Sequence, residues 1–222
     1  MFVSFSVGNT GPFKEVTGIT TVCESLKKEF LGKNTFEVGG HNYNKISYIY
    51  GANGSGKTNF LSALTKMQKM IIMSTVLGAN NNKLLEVPAI KKELASPIET
   101  FKFDVDCKSR ETFFEIQVLL EGILYSYSFA VQDGKIQREL LTKKNKRTEI
   151  LIKRTSPKYE DILLRSGLAS FKGMVTVVRD DALCLAMAAM LNNPLANKIL
   201  NEIMNYRVIN MASVGNAPDF DE

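Results

Sequence analysis

The 222-residue sequence has no tryptophan, a single histidine, and three cysteines scattered along its length. Cys23, Cys107 and Cys184 are odd in number and form no CxxC pair, which argues against a disulfide framework or a structural zinc site. They suit a reducing compartment, each as a small buried hydrophobe, so a cytoplasmic location is expected. No apolar run reaches about 18 residues, so no segment reads as a membrane-spanning helix. Residues 1–7, MFVSFSV, lack a basic flank and are too short an apolar run for a signal peptide. There is no fixed-period repeat and no low-complexity tract.

What is present is the composition of a globular protein: 45% hydrophobic, 23% charged and 9% aromatic residues. The length suits one domain, or a domain with an inserted subdomain, and is enough to bury a core. A net charge of +5 and a pI near 9.0 permit an acidic partner such as nucleic acid without requiring one.

Residues 1–50 read as β. Phe2–Val7 is an apolar strand ended by the turn cluster Gly8-Asn9-Thr10-Gly11-Pro12. Thr35–Val38 followed by Gly39-Gly40 predicts a hairpin, and Ile46–Tyr50 is a β-branched and aromatic run fit for one buried strand. From Thr58 the period changes: Phe60, Leu64, Met67 and Ile71, with Leu61 beside them, form the stripe of an amphipathic helix. It is expected to fade before the polar linker Gly78–Asn82.

Residues 98–155 predict an antiparallel meander, because its connections are too short for crossover helices. Phe101, Phe103 and Val105 alternate with polar residues as a half-buried strand would. Phe114–Leu120, Ile123–Val131 and Ile150–Ile152 read as further strands, with Glu121-Gly122 and Asp133-Gly134 as tight turns. Asp180–Leu191 is apolar almost all round and predicts a buried helix, with Ala182–Met190 as core or as an interface that a further lobe would cover. Asn193-Pro194 predicts a cap and first position for a helix carrying Leu195, Ile199, Leu200, Ile203 and Met204. The tail 212–222 reads as loop.

One motif carries chemistry. Gly51-Ala52-Asn53-Gly54-Ser55-Gly56-Lys57-Thr58 satisfies GxxxxGK[ST], between an expected strand and an expected helix. Glycines let the backbone wrap a phosphate, and the helix N-terminus points positive dipoles at it. Lys57 would reach the β- and γ-phosphates and the Thr58 hydroxyl would ligate Mg²⁺. An ordinary glycine-rich turn has no use for that lysine and threonine. Asn53, Gly54, Ser55, Gly56, Lys57, Thr58 and Asn59 are therefore the expected nucleotide-binding residues, with ATP and Mg²⁺ as cofactors.

Hydrolysis also needs an apolar strand ending in a carboxylate for the metal. Val175–Asp181 is interrupted by Arg179, and Asp180 reads more readily as a helix N-cap. Asp221-Glu222 follows no apolar strand, and Asp133 belongs to a hairpin turn. His41 has no acid or nucleophile partner that sequence can place, and falls in a hairpin before the loop. A basic group, Lys135, Arg138, Lys143, Lys144, Lys146, Arg147, Lys153 and Arg154, reads first as a solvated face and second as a contact for DNA or an acidic partner. It lacks the interleaved aromatics that stack exposed bases.

With these residues in view, a resemblance can be stated. Phe2–Val7, Asn9 and Gly11-Pro12-Phe13 resemble the opening strands of the ABC/SMC/RecF-type ATPases. Tyr50–Asn59 is similar to the loop of a narrower group, the bacterial and phage AAA-type ATP-binding proteins related to the OLD and abortive-infection ATPases. Ser96–Phe101, Arg138–Leu141, Ile152–Arg154 and Val178–Leu185 resemble later parts of that group.

The resemblance implies an ABC-type head in which two protomers sandwich ATP, and a role in DNA-linked or anti-phage defence beside a nuclease or toxin. A signature motif and a clear Walker B are not recognisable in these residues. The chain is therefore expected to be an N-terminal lobe: residues 1–80 with hairpins, P-loop and first helix, 98–155 as a β-subdomain, and 175–210 as a helical segment. The expected fold is α/β (α+β), of P-loop NTPase type. The leading functional expectation is ATP binding by a defence or DNA-repair ATPase that turns over poorly alone. The alternatives are a nucleoside or small-molecule kinase, and a non-catalytic module that dimerises on ATP or holds DNA through Lys143, Lys144, Lys146 and Arg147.

Overall fold

The computed structural model describes residues 1–23, 32–76 and 99–209. Its centre is a seven-stranded, wholly antiparallel sheet made of β1 (Phe2–Gly8), β2 (Thr17–Thr20), β5 (Thr112–Leu120), β6 (Ile123–Gln132), β7 (Lys135–Lys144), β8 (Thr148–Arg154) and β9 (Ile162–Leu164). Their spatial order is β2-β1-β5-β6-β7-β8-β9, so the first strand is built into the same sheet as the meander. A separate two-stranded hairpin, β3 (Thr35–Val38) and β4 (His41–Asn44), turns at Gly39-Gly40.

Alternation gives the sheet one apolar and one polar face. Phe5, Ile116, Tyr127, Leu141, Ile152 and Leu164 lie opposite one another on successive strands and form a continuous buried row. On the other face Ser126 Oγ donates to Glu115 Oε1 at 2.8 Å. Among the described residues three α-helices contribute to the core: α1 (Lys57–Val76), α2 (Cys184–Met190) and α3 (Pro194–Met204). In α1, Phe60, Met67 and Ile71 of the expected stripe are buried together with Ala63, Leu64 is half-buried against the core, and Leu61, expected beside them, is exposed. Asn193 caps α3, accepting from Ala196 N at 3.0 Å, with Pro194 at the first position.

The Ala182–Met190 row is core and not an uncovered interface: Ala182 through Ala188 are buried, and only Met190 and Leu191 emerge. The helix is shorter than expected, beginning at Cys184 rather than Asp180. Its N-cap residue, Leu183, has no side-chain acceptor, so a strand supplies one. Glu139 of β7 is wholly buried; its Oε2 accepts Cys184 N at 2.7 Å, and Oε1 accepts Leu185 N and Tyr127 Oη, both at 2.9 Å. Arg154, opposite Glu139 on β8, donates to the carbonyls of Ser156 at 2.9 Å, Ala182 at 2.8 Å and Arg179 at 3.2 Å, and to Pro157 O. These two side chains tie the 179–185 connection to the sheet.

Two expected strands are not formed. Phe101–Val105 leads into a 3-10 helix, Val105–Ser109, leaving Phe103 and Val105 exposed. The reason lies in the polar residues between them: Asp104 caps the turn by accepting from Asp106 N at 3.0 Å and pairs with Lys14 at 2.7 Å. Ile46–Tyr50 makes no ladder with any described strand; Tyr48 and Tyr50 are 81% and 92% exposed. Strand propensity becomes a strand only where a neighbour offers backbone partners, and every described strand is paired elsewhere. The linker at 78–82, Ser96–Ile98 and the tail 212–222 with Asp221-Glu222 lie outside the described residues.

Candidate functional site

The GxxxxGK[ST] loop runs from Gly51 into the N-terminus of α1, so the helix half of the expected setting is formed and the strand half is not. Gly54 and Gly56 adopt φ of +81° and +92°, left-handed values that L side chains rarely take. Ser55 N donates to Ala52 O at 3.2 Å and closes the turn. The first helical bond, Phe60 N to Gly56 O at 2.9 Å, leaves the amides before it without partners inside the helix. Those amides and the aligned helix dipole make an anion site.

Lys57 is the first residue of α1 and its Nζ donates to Gly51 O at 2.7 Å and Ala52 O at 2.8 Å, so the ammonium lies across the mouth of the loop. Asn53, Gly54, Ser55, Thr58 and Asn59 are exposed, and Gly56 alone between Gly51 and Gly56 is buried. All the expected nucleotide-binding residues therefore sit on one loop and one helical turn, with Lys57 and Thr58 adjacent at its entrance. This donor set fits a polyphosphate, and the exposed Thr58 hydroxyl could reach a metal ion held beside it. Among the described residues, no group of three or more His, Cys, Asp or Glu side chains is placed to hold a metal ion.

The other candidates disperse. Val175–Asp181 is not a strand: Ala169–Val177 is 3-10 helix, Arg179 Nε pairs with Asp181 at 2.8 Å, and Asp180 pairs with Lys135 at 2.9 Å. Hydrogen bonding from Lys135 holds the Asp180 carboxyl below its ordinary range. Asp180 does not cap α2, because Glu139 does so from across the sheet. Asp133 takes φ +51° in the β6–β7 turn, and His41 lies exposed in the β3–β4 hairpin. Of the basic group, Arg154 is buried, Arg138 pairs with Glu111 at 2.7 Å, and Lys143 pairs with Glu149 at 2.9 Å. Lys144, Lys146 and Arg147 stand exposed at the tip of the β7–β8 hairpin.

The family model described as "AAA domain, putative AbiEii toxin, Type IV TA system" matches residues 46–172, more than half of the chain and including the whole phosphate loop. The chain belongs to that family. It is an AAA-type P-loop ATPase domain of the abortive-infection type, a class that generally uses ATP and Mg²⁺. No curated protein and no solved structure matches the chain. No helix among the described residues is long and apolar enough to cross a membrane.

Two contributions to the architecture escaped sequence reasoning. Glu139 sits in a strand of ordinary charged composition, and only the tertiary fold shows which helix its carboxylate meets. The turn at Asn9–Phe13, legible as a turn, packs directly on the loop: a Cβ at Gly56 would lie 2.8 Å from Pro12 Cγ and 3.2 Å from Phe13 Cζ.

Proposed function

We propose that this domain binds Mg·ATP at the Asn53–Asn59 loop, as the nucleotide-binding part of an ATPase serving anti-phage defence or DNA repair in the cytoplasm. The observation that carries it is the pairing of two left-handed glycines with a helix that opens on Lys57 and Thr58. The amides preceding Phe60 would hold the phosphate oxygens, and Lys57 would exchange its loop carbonyls for the β- and γ-phosphates. Mg²⁺, when bound, neutralises phosphate charge, and Thr58 is its ligand from this chain. Hydrolysis is assigned to an assembled head of two protomers, and this chain alone is expected to turn over near background. Titration calorimetry with Mg·ATP tests the reading: heat from the wild type and none from Lys57→Ala supports it. Equal heats from both would sink it.

A second contact is favoured by the β7–β8 tip, where Lys144, Lys146 and Arg147 are exposed together beside Lys143. These cations fit the phosphates of DNA, in keeping with a nuclease or toxin partner acting on nucleic acid. Retention on DNA should fall steeply with salt and vanish when the four are neutralised. No retention at low salt would remove DNA from the reading without touching the nucleotide site.

A further inference from the structure

The phosphate loop is braced from a side that its motif does not mention. Among the described residues nothing pairs with Ile46–Tyr50, so the stretch before the loop supplies no ladder. Gly56, the buried member of the loop, is covered by the Pro12 and Phe13 rings, and Phe13 meets Phe60 of α1 edge-on with centroids 6.0 Å apart. Gly56 O accepts the first helical bond of α1. Where Gly56 sits therefore fixes where the helix begins and how the amides of Lys57 and Thr58 point.

The turn carrying Pro12 and Phe13 is itself clamped at its base. Asn9 is buried at φ +49°. Its Nδ2 donates to Cys107 O and Arg110 O, both at 2.9 Å, with Glu111 O at 3.3 Å, and its Oδ1 accepts Phe101 N at 3.2 Å. Its carbonyl accepts Thr112 Oγ1 at 2.9 Å. Thr10 Oγ1 and Gly11 N both donate to Glu99 O, at 2.9 and 3.1 Å. Only a side chain with both donors and an acceptor meets this set; aspartate would face carbonyl oxygens with a carboxylate.

We infer that Asn9 is a positioning residue for the phosphate site, acting through the Pro12–Phe13 turn on Gly56. The inference rests on the nucleotide reading above but concerns the loop's geometry, so the two can be tested apart. Amide hydrogen exchange is followed at Ser55 and Phe60, whose bonds to Ala52 O and Gly56 O depend on the loop's geometry, without nucleotide and alongside Mg·ATP calorimetry, in the full chain carrying Asn9→Ala, Asn9→Asp, Pro12→Gly, or Asn9→Ala with Pro12→Gly. Exchange at Ser55 and Phe60 should rise in each variant while the amides of Cys184 and Leu185 keep their protection. Mg·ATP affinity should fall about tenfold or more. Because the two residues act along one path, the double variant should bind no worse than the weaker single one.

A folded Asn9→Ala protein with affinity within about twofold of wild type and unchanged exchange at Ser55 and Phe60 overturns the inference. If the Asn9 variants fail to fold, Pro12→Gly decides on the same two readouts. If wild type gives no Mg·ATP heat, the nucleotide reading fails, and the exchange comparison still decides whether Asn9 sets the loop.

Discussion

Replacing Glu139 with alanine should be among the most damaging single changes available to this fold. The carboxylate is fully buried and satisfies three donors: Cys184 N, Leu185 N and Tyr127 Oη. Each buried donor left without a partner costs about 1–3 kcal/mol. Water entering the space vacated by the side chain would recover part of that for the two helix amides. The buried Arg154 also loses its facing carboxylate. The expected loss is about 3–5 kcal/mol, against a total stability of about 5–15 kcal/mol. Glu139→Gln keeps the volume and one acceptor oxygen, and should lose about half as much. Urea unfolding followed by far-ultraviolet circular dichroism reads this directly: the alanine midpoint should fall by roughly 1–2 M or more at unchanged slope. Exchange protection of the Cys184 and Leu185 amides should drop with it. A Glu139→Ala protein within about 1 kcal/mol of wild type would refute the claim that this side chain caps α2.

Three further outcomes follow from other parts of the molecule. Gly54→Ala meets no neighbour within 4 Å and should lose only the left-handed backbone penalty, about 1–2 kcal/mol, whereas Gly56→Ala must also displace Pro12 and should unfold earlier in a thermal melt. In a thiol titration of the native protein, Cys23 should react first. Cys107 and Cys184 are buried, and burial pushes the Cys184 thiol upward, so both should wait for unfolding. The Lys135–Asp180 pair gives a signed pH effect. Because Asp180 is held below its unfolded value, its contribution is complete above that value and is lost as pH falls through the folded one. The urea midpoint of Lys135→Ala should therefore lie below wild type at pH 7 and converge with it in acid.

Where local chemistry decided structure, the sequence was readable. Asn193-Pro194, Gly39-Gly40, Asp133-Gly134 and the Phe60–Ile71 stripe each carry their own instruction in backbone preference or side-chain period. The loop motif likewise announced every residue now gathered at the head of α1. What could not be read depends on partners distant in sequence. Ile46–Tyr50 has the residues of a strand, but a strand exists only through a neighbour. The alternation at 101–105 was diverted by Asp104 bonding its own turn. The cap for α2 lies 45 residues away in Glu139. Asn9 could be recognised as a turn residue, but its carbonyl partners are about a hundred positions downstream.

The order of strands in the sheet also sets an order of events. The β5–β6–β7–β8 meander joins sequence neighbours through short turns, so its contacts form early and at small entropic cost. β1 must find β5, pairing Phe5 with Ile116 and Val7 with Phe114 across a long loop. The turn that rests on Gly56 is attached to β1, so it arrives only when that closure is made. During synthesis the first strand emerges earliest yet is seated late, and the phosphate loop gains its brace in the same step. A nascent chain stalled before residue 112 would hold the whole GxxxxGK[ST] motif and the Pro12–Phe13 turn, but not β5, the strand that seats β1 in the sheet.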